Sequence, residues 1–269
     1  MIVKSIALIV TIASFSVPAA ALKSPSPGDT YALIVTGIGK DPEDRLARDQ
    51  IVRDFRAYLL EKVAVRPNRL TVLVPGADAA GASTADRIAE TIHTYASAMS
   101  PADRFVFYYT GQANVVGDTL RFNLPGPDVT QEELARWLAG AQAGTQLVVL
   151  DCPYAAAAAK ALARPGRVVV LASTEKQAYS PRFGMHFVPA LARAESDTNH
   201  DGNVSVLEAF TATAREIEQW YQQRQLLPTE TPSIEDNSDG RPVERPWRYE
   251  QDGGDGRLAA GLVLAWVKP

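Results

Sequence analysis

Two stretches of this chain carry residue types whose spacing could do chemistry. The first is residues 145–156, TQLVVLDCPYAA, which hold the only cysteine, Cys152, followed at once by Pro153. A short apolar run such as LVVLD, without polar alternation, fits a strand buried on both faces of a parallel sheet. Residues just past such a strand reach the carboxyl edge of the sheet, where α/β proteins place reactive groups. A thiol there is the candidate for covalent nucleophilic chemistry. The second stretch is residues 197–208, DTNHDGNVSVLE. It presents oxygens at every position a twelve-residue calcium loop requires. These come from the side chains of Asp197, Asn199 and Asp201, the carbonyl of Asn203, Ser205 (directly or through water) and both oxygens of Glu208. Gly202 supplies the sharp turn and Val204 packs inward. Calcium takes six to eight oxygens, so the spacing predicts one Ca2+ site. Three carboxylates and a single loop suit a modest-affinity structural staple. The same residues also read as an Asx-rich turn before a helix, because Ser205 and Glu208 form a capping box.

Other residues are less eloquent. The chain has three histidines, and His93 and His186 fall on helical patterns while His200 falls in the acidic loop. Each reads as a surface or packing residue. Thr36-Gly37-Ile38-Gly39-Lys40 resembles part of a phosphate loop but lacks the full frame. Asp41, Glu43 and Asp44 follow at once and would repel a phosphate, so a plain strand-to-helix turn is expected. Ser173-Thr174-Glu175 could line a groove, or cap a helix.

The elements that must position these groups are legible as alternation. Strand candidates at 31–36, 70–74, 104–110, 146–151 and 167–172 are separated by helical patterns, which predicts a parallel sheet covered on both faces. Asp41-Pro42-Glu43-Asp44 starts a helix carrying Ile51, Phe55, Tyr58, Leu59 and Val63. Ser83 with Asp86, and Thr130 with Glu133, read as capping boxes. Residues 115–124 read as a hairpin turning at Gly117-Asp118. Residues 183–193 form a helix that contains Pro189, and Leu207, Phe210, Ala214, Ile217 and Tyr221 mark a longer one. Residues 227–257, rich in Pro, Asp, Glu and Gly, are expected to be irregular and mostly exposed, and 258–269 to return as a last strand.

Residues 1–21 read as a cleaved signal peptide: Lys4, an apolar stretch too short to favour a spanning helix, then Pro18 and an alanine run. The expected product is secreted or periplasmic, with no membrane segment after signal removal. About 250 residues remain, enough for one large α/β domain. A net charge of −4 without a basic block argues against nucleic acid as a partner. A lone cysteine excludes an internal disulfide.

The order of pieces from about Tyr31 to Gly240 resembles the caspase/legumain family, in particular the bacterial secreted legumain-like cysteine peptidases. Four stretches carry the resemblance: DRFVFYYTGQAN (103–114), RFNLPGPDVT (121–130), LVVLDCPYA (147–155) and DTNHDGNVSVLEAF (197–210). It implies an α/β fold with a mostly parallel central sheet of about six strands and helices on both faces. It also implies a His–Cys dyad on neighbouring strand ends, with backbone N–H groups stabilising an oxyanion. Both dyad positions depart from that pattern. The family's Gly-His-Gly reads Gly111-Gln112-Ala113, and an amide cannot shuttle a proton near neutral pH. The nucleophile position falls on Pro153, and Tyr154-Ala155-Ala156 replaces the tight turn after it. Cys152 lies one residue early, so alternation along the strand turns its thiol away from the crevice and into a helix layer. The expectation is therefore a pseudo-peptidase that acts as a binding or scaffold protein for a peptide or protein partner. Residues 22–226 would form the main domain, with the calcium loop inside it. The alternatives are an active cysteine-type hydrolase using Cys152 and a nucleotide-binding doubly wound protein using Gly37 and Gly39.

Overall fold

The computed structural model describes residues 28–249 and 254–265. The expected signal segment lies outside them. Strand β1 (Thr30–Thr36) is flanked by β2 (Leu70–Leu73) and β3 (Arg104–Thr110), and β3 by β7 (Thr145–Asp151), then β8 (Arg167–Leu171), all parallel. The sixth strand, β9 (Ser233–Glu235), runs antiparallel to β8, giving the order β2-β1-β3-β7-β8-β9. This is the expected mostly parallel α/β sheet. A second, antiparallel sheet joins β4 (Ala113–Val116), β5 (Thr119–Phe122) and β6 (Val129–Thr130), with the β4–β5 hairpin turning at Gly117 and Asp118 as its sequence implies.

Period-two alternation divides the core into two layers. Ala32, Ile34, Val106, Tyr108, Leu147 and Val149 face α1 (Pro42–Glu61), α5 (Phe183–Ala192) and α6 (Val206–Gln223). Their neighbours Leu33, Val35, Phe107, Tyr109, Val148 and Leu150 face α2 (Ala85–Ala98), α3 (Gln131–Ala139), the short α4 (Ala159–Leu162) and the hairpin. Phe55, Phe183 and Phe210 are fully buried in the first layer. Cutting any one of them to alanine costs about 3–5 kcal/mol in a packed interior.

The helices start where their caps require. Asp41 caps α1 by accepting from Asp44 N–H at 2.8 Å, and Thr130 and Glu133 form a reciprocal box on α3. The cap of α2 is one residue later than the sequence suggests: Thr84, not Ser83, accepts the first-turn N–H, and Ser83 is buried. A threonine with extended φ/ψ suits an N-cap, and the two hydroxyls are indistinguishable from sequence.

Two expectations at the C-terminal end are corrected. The segment after residue 227 supplies β9, whose Ser233, Ile234 and Glu235 are buried, so it is part of the sheet. Residues 257–261 form α7 (Arg257–Gly261) where a strand was expected, and among the described residues of that segment only Val263 makes a β-bridge, to Ser205. Apolar runs of this length do not distinguish strand from buried helix. Val243 folds back onto Ile234 through reciprocal N–H to carbonyl bonds of 2.8 and 3.0 Å, covering the outer side of β9. No helix among the described residues is long and apolar enough to cross a membrane.

Candidate functional site

Strands β1, β3 and β7 end together in Thr36, Thr110 and Asp151, and their loops are bound to one another. Gly37 N–H donates to the Thr110 carbonyl and Gln112 N–H to the Ile38 carbonyl, each at 2.9 Å. The Gln112 carbonyl accepts from Asn123 N–H at 3.0 Å and from the Tyr109 hydroxyl at 2.7 Å. A Cβ on residue 37 would lie 2.1 Å from the Tyr109 hydroxyl, so close packing against Tyr109 is what requires glycine there. The backbone of Gln112 is thereby fixed, and its side-chain amide donates to Ser180 Oγ at 2.7 Å.

Below this amide lies a buried polar chain that the sequence reading missed. Arg48 of α1 is 4% exposed. Its Nε and Nη2 clasp both oxygens of Asp44 at 2.9 and 3.0 Å, Nη1 donates to Thr110 Oγ1 at 3.3 Å, and Nη2 also reaches Ser180 Oγ at 3.4 Å. Thr110 Oγ1 passes the chain on, donating to Asp151 Oδ2 at 3.1 Å, and the Tyr108 hydroxyl donates to the same oxygen at 3.0 Å. Burial pushes the Asp151 carboxyl up, and the Arg48 charge with the Tyr108 and Thr110 bonds only partly offsets this. Asp44 feels burial too, but its hydrogen bonds from Arg48 and Lys40 N–H hold it below the usual carboxylate range. The available signal was positional: Arg48 precedes Ile51, Val52 and Phe55 on the stripe of α1 that faces the sheet, where an unpaired cation is costly.

Cys152 has no exposed surface and packs in the second layer, with Leu150, Ala155 and Leu162. Burial, and then the neighbouring Asp151 charge, raise its thiol well above the ordinary range, so the nucleophilic thiolate is scarce. The turn beyond it is built from strained and committed backbone. Tyr154 has φ +58°, a left-handed conformation uncommon for an aromatic residue. Ser173 Oγ donates to the Cys152 carbonyl at 2.9 Å and accepts from Ala155 N–H at 3.0 Å. Tyr154 N–H donates to the Gln177 carbonyl and Ala156 N–H to the Ser173 carbonyl, at 2.9 and 3.0 Å. Pro153 has no N–H. Residues 153–156 thus present no unpaired amide that could serve an oxyanion.

The structure does not bring a histidine to Gln112 or Cys152. His93 is exposed on α2, His186 accepts or donates through Nδ1 to Glu216 of α6 at 2.9 Å, and His200 lies exposed in the acidic loop with φ +59°.

The acidic loop is held together by its own hydrogen bonds. Asp197 accepts from Asp201 N–H and Gly202 N–H at 3.2 and 2.9 Å, and Asn199 Oδ1 accepts from Asp201 N–H at 2.8 Å. Glu208 reaches back from α6: Oε1 accepts from Thr198 N–H and Asn199 N–H, and Oε2 from Ser205. Gly202 takes φ +86°. Asp197, Asn199, Asp201, Asn203, Ser205 and Glu208 therefore belong to one tight loop of oxygen donors, hard enough in chemistry for calcium. Among the described residues no three Asp, Glu, His or Cys side chains converge as a metal-binding group, and half of the six donors here are Asn or Ser. Both capping-box bonds are also present, so the loop is a helix cap in its own right.

No protein-family model and no curated protein sequence matches the chain. Among solved structures it is similar to caspase-1 from Spodoptera frugiperda, with a TM-score of 0.52, 10% sequence identity, and coverage of 80% of this chain and 92% of that one. At such low identity the likeness speaks to architecture. The strand order, the two helix layers and this neighbour together establish that the chain has a caspase-like fold.

Proposed function

We propose that this protein is a caspase/legumain-like pseudo-peptidase, exported by its N-terminal segment, that works by binding a peptide or protein rather than by cutting one. The observation that carries the reading is Cys152: its thiol is fully buried in the layer away from the Gln112 and Ser180 side chains. The paired amides of residues 154–156 support it, as does an amide rather than an imidazole at position 112. What remains at the carboxyl edge is a rigid polar rim beside a groove, suited to holding an extended segment. A single calcium ion at residues 197–208 completes the proposal as a staple between the end of α5 and the start of α6.

The test is native-state alkylation with iodoacetamide alongside a panel of fluorogenic peptides. The expected result is labelling of Cys152 only after denaturation, and no turnover. Rapid native labelling together with cleavage that Cys152→Ala abolishes would establish the opposite case, an active cysteine hydrolase.

A further inference from the structure

The turn that follows β9 repeats the local geometry of the acidic loop at 197–208. Both begin with the same spacing: Asp197-x-Asn199-x-Asp201-Gly202 and Glu235-x-Asn237-x-Asp239-Gly240. The first acid accepts from the glycine N–H, at 2.9 Å for Asp197 and 3.3 Å for Glu235. The asparagine Oδ1 accepts from the N–H of the second acid, at 2.8 Å in each loop. That acid accepts in turn from the residue after the glycine, at 2.8 and 2.7 Å. A distant carboxylate then closes each loop from outside. Glu208 Oε1 accepts the N–H groups of Thr198 and Asn199, and Asp255 Oδ1 those of Asp236 and Asn237. The fourth and sixth positions have positive φ in both: His200 +59° and Gly202 +86°, Ser238 +73° and Gly240 +74°.

Loop geometry alone makes a turn, and the second loop has something more. Glu235 is 0% and Asp255 1% exposed, and Glu235 Oε2 and Asp255 Oδ2 are buried without a hydrogen bond among the described residues. Their other oxygens, bonded to Gly240 and to Asp236 and Asn237, hold both carboxylates at the loop. Neither acid forms an ion pair among the described residues. Arg167 of β8 feels the Glu235 charge, but its Nε and Nη1 are given to Gln146 and the Leu162 carbonyl. Burying unpaired carboxylates is costly, and a coordinated cation removes the penalty. We propose that residues 235–241 and Asp255 form a second calcium site, which fastens the end of β9 to the start of α7. Glu235, Asn237, Asp239 and Asp255 supply side-chain oxygens, and the Arg241 carbonyl takes the position of the Asn203 carbonyl in the first loop. Among the described residues no three acids converge as a group, here or at 197–208, so amide and carbonyl oxygens are needed to complete the set. Such a mixed set of hard oxygens suits calcium. The inference goes beyond the site at 197–208 and does not require it.

The experiment is calorimetric titration of calcium into the full chain, stripped with EDTA, in a Glu208→Gln background that disables the first loop. One calcium ion per chain should still bind. Adding Glu235→Gln and Asp255→Asn should weaken that binding by about tenfold or more. Asp239 is exposed, so Asp239→Asn leaves the core alone, and it should still weaken binding by about fivefold or more. The control, Glu61→Gln at the end of α1, should leave it unchanged. Melting curves in EDTA establish that every variant is folded. Calcium binding by the parent chain that Glu208→Gln removes entirely would overturn the inference and leave the first loop standing. Equal affinity with and without the Glu235 and Asp255 carboxylates would overturn it and move the ion elsewhere. Absence of calcium binding by every chain, the parent included, would remove both sites.

Discussion

Asp151 and Cys152 are adjacent in sequence and look into opposite layers of the fold. The carboxylate joins Tyr108 and Thr110 on the α1/α5 side, and the thiol packs with Leu150 and Leu162 on the α3/α4 side. One residue of register decides the chemistry, because side chains alternate along a strand. With Asp151 committed to the polar chain, Cys152 has no route to the Gln112 side chain.

The first consequence concerns the thiol itself. A disulfide reagent should modify Cys152 negligibly in the native state and stoichiometrically in denaturant, since access and thiolate are both lacking. Cys152→Ser should destabilise by about 1–3 kcal/mol by placing a hydroxyl in an apolar pocket. A native labelling rate near that of free cysteine would contradict the buried placement.

Restoring the missing imidazole should not restore hydrolysis. Gln112→His places a titratable ring beside the Ser180 hydroxyl and Arg48, but out of reach of the Cys152 thiol and with no free amide at 153–156 to hold an oxyanion. The variant is expected to be inactive on every peptide tested. Turnover above the blank would mean that another group attacks.

The Arg48–Asp151 chain should couple energetically. Arg48→Met leaves Asp151 and Asp44 without their cation and should cost about 3–5 kcal/mol. Asp151→Asn removes the charge that Arg48 compensates, so the double variant should be less destabilised than the sum. Urea midpoints at constant slope measure the cycle, and strict additivity would show that the two groups are independent.

Glu230 gives the fold a pH dependence of defined sign. It is 2% exposed, accepts Arg182 N–H at 2.7 Å and the Tyr221 hydroxyl at 3.3 Å, and burial pushes it from 4.5 to about 7. Between those values the folded state holds a proton that the unfolded state has released, so stability falls as pH rises through the window. Glu230→Gln should flatten that slope and stabilise the protein at pH 8 by about 1–3 kcal/mol. An unchanged pH profile of melting in the variant would place the titration elsewhere.

Calcium at residues 197–208 should raise the melting temperature. A tenfold excess over Kd contributes about 1.4 kcal/mol, or roughly 3–6 °C for a domain of this size. Glu208→Gln should abolish the part of the rise that this loop supplies. Superimposable melts in calcium and in chelator would leave the loop as a helix cap only.

Much of this architecture was legible in the sequence, because two periods were clean. The runs at 31–36, 104–110 and 146–151 have no polar alternation, are short, and are rich in β-branched and aromatic residues, which favours strands covered on both faces, and they are. The direction of the Cys152 thiol followed from the same alternation. What failed was short or shared. Ser233–Glu235 is a three-residue strand inside a Pro- and Gly-rich stretch, specified by its neighbour β8 rather than by its own residues. Residues 257–261 are apolar enough for either state, and packing against α6 makes them a helix. The polar chain was hidden for another reason: Asp44, Arg48, Thr110, Asp151 and Ser180 come from four separate parts of the chain. Only the fold makes them neighbours.

The return of Val243 onto Ile234 has an effect on crowds of molecules rather than on one. A border strand with its outer amides and carbonyls vacant is a template on which a neighbouring polypeptide can continue the ladder. Here that border is already hemmed by the molecule's own tail of residues. Stacking of one sheet onto the next should therefore stall at this rim, and concentrated solutions should resist fibrous growth there.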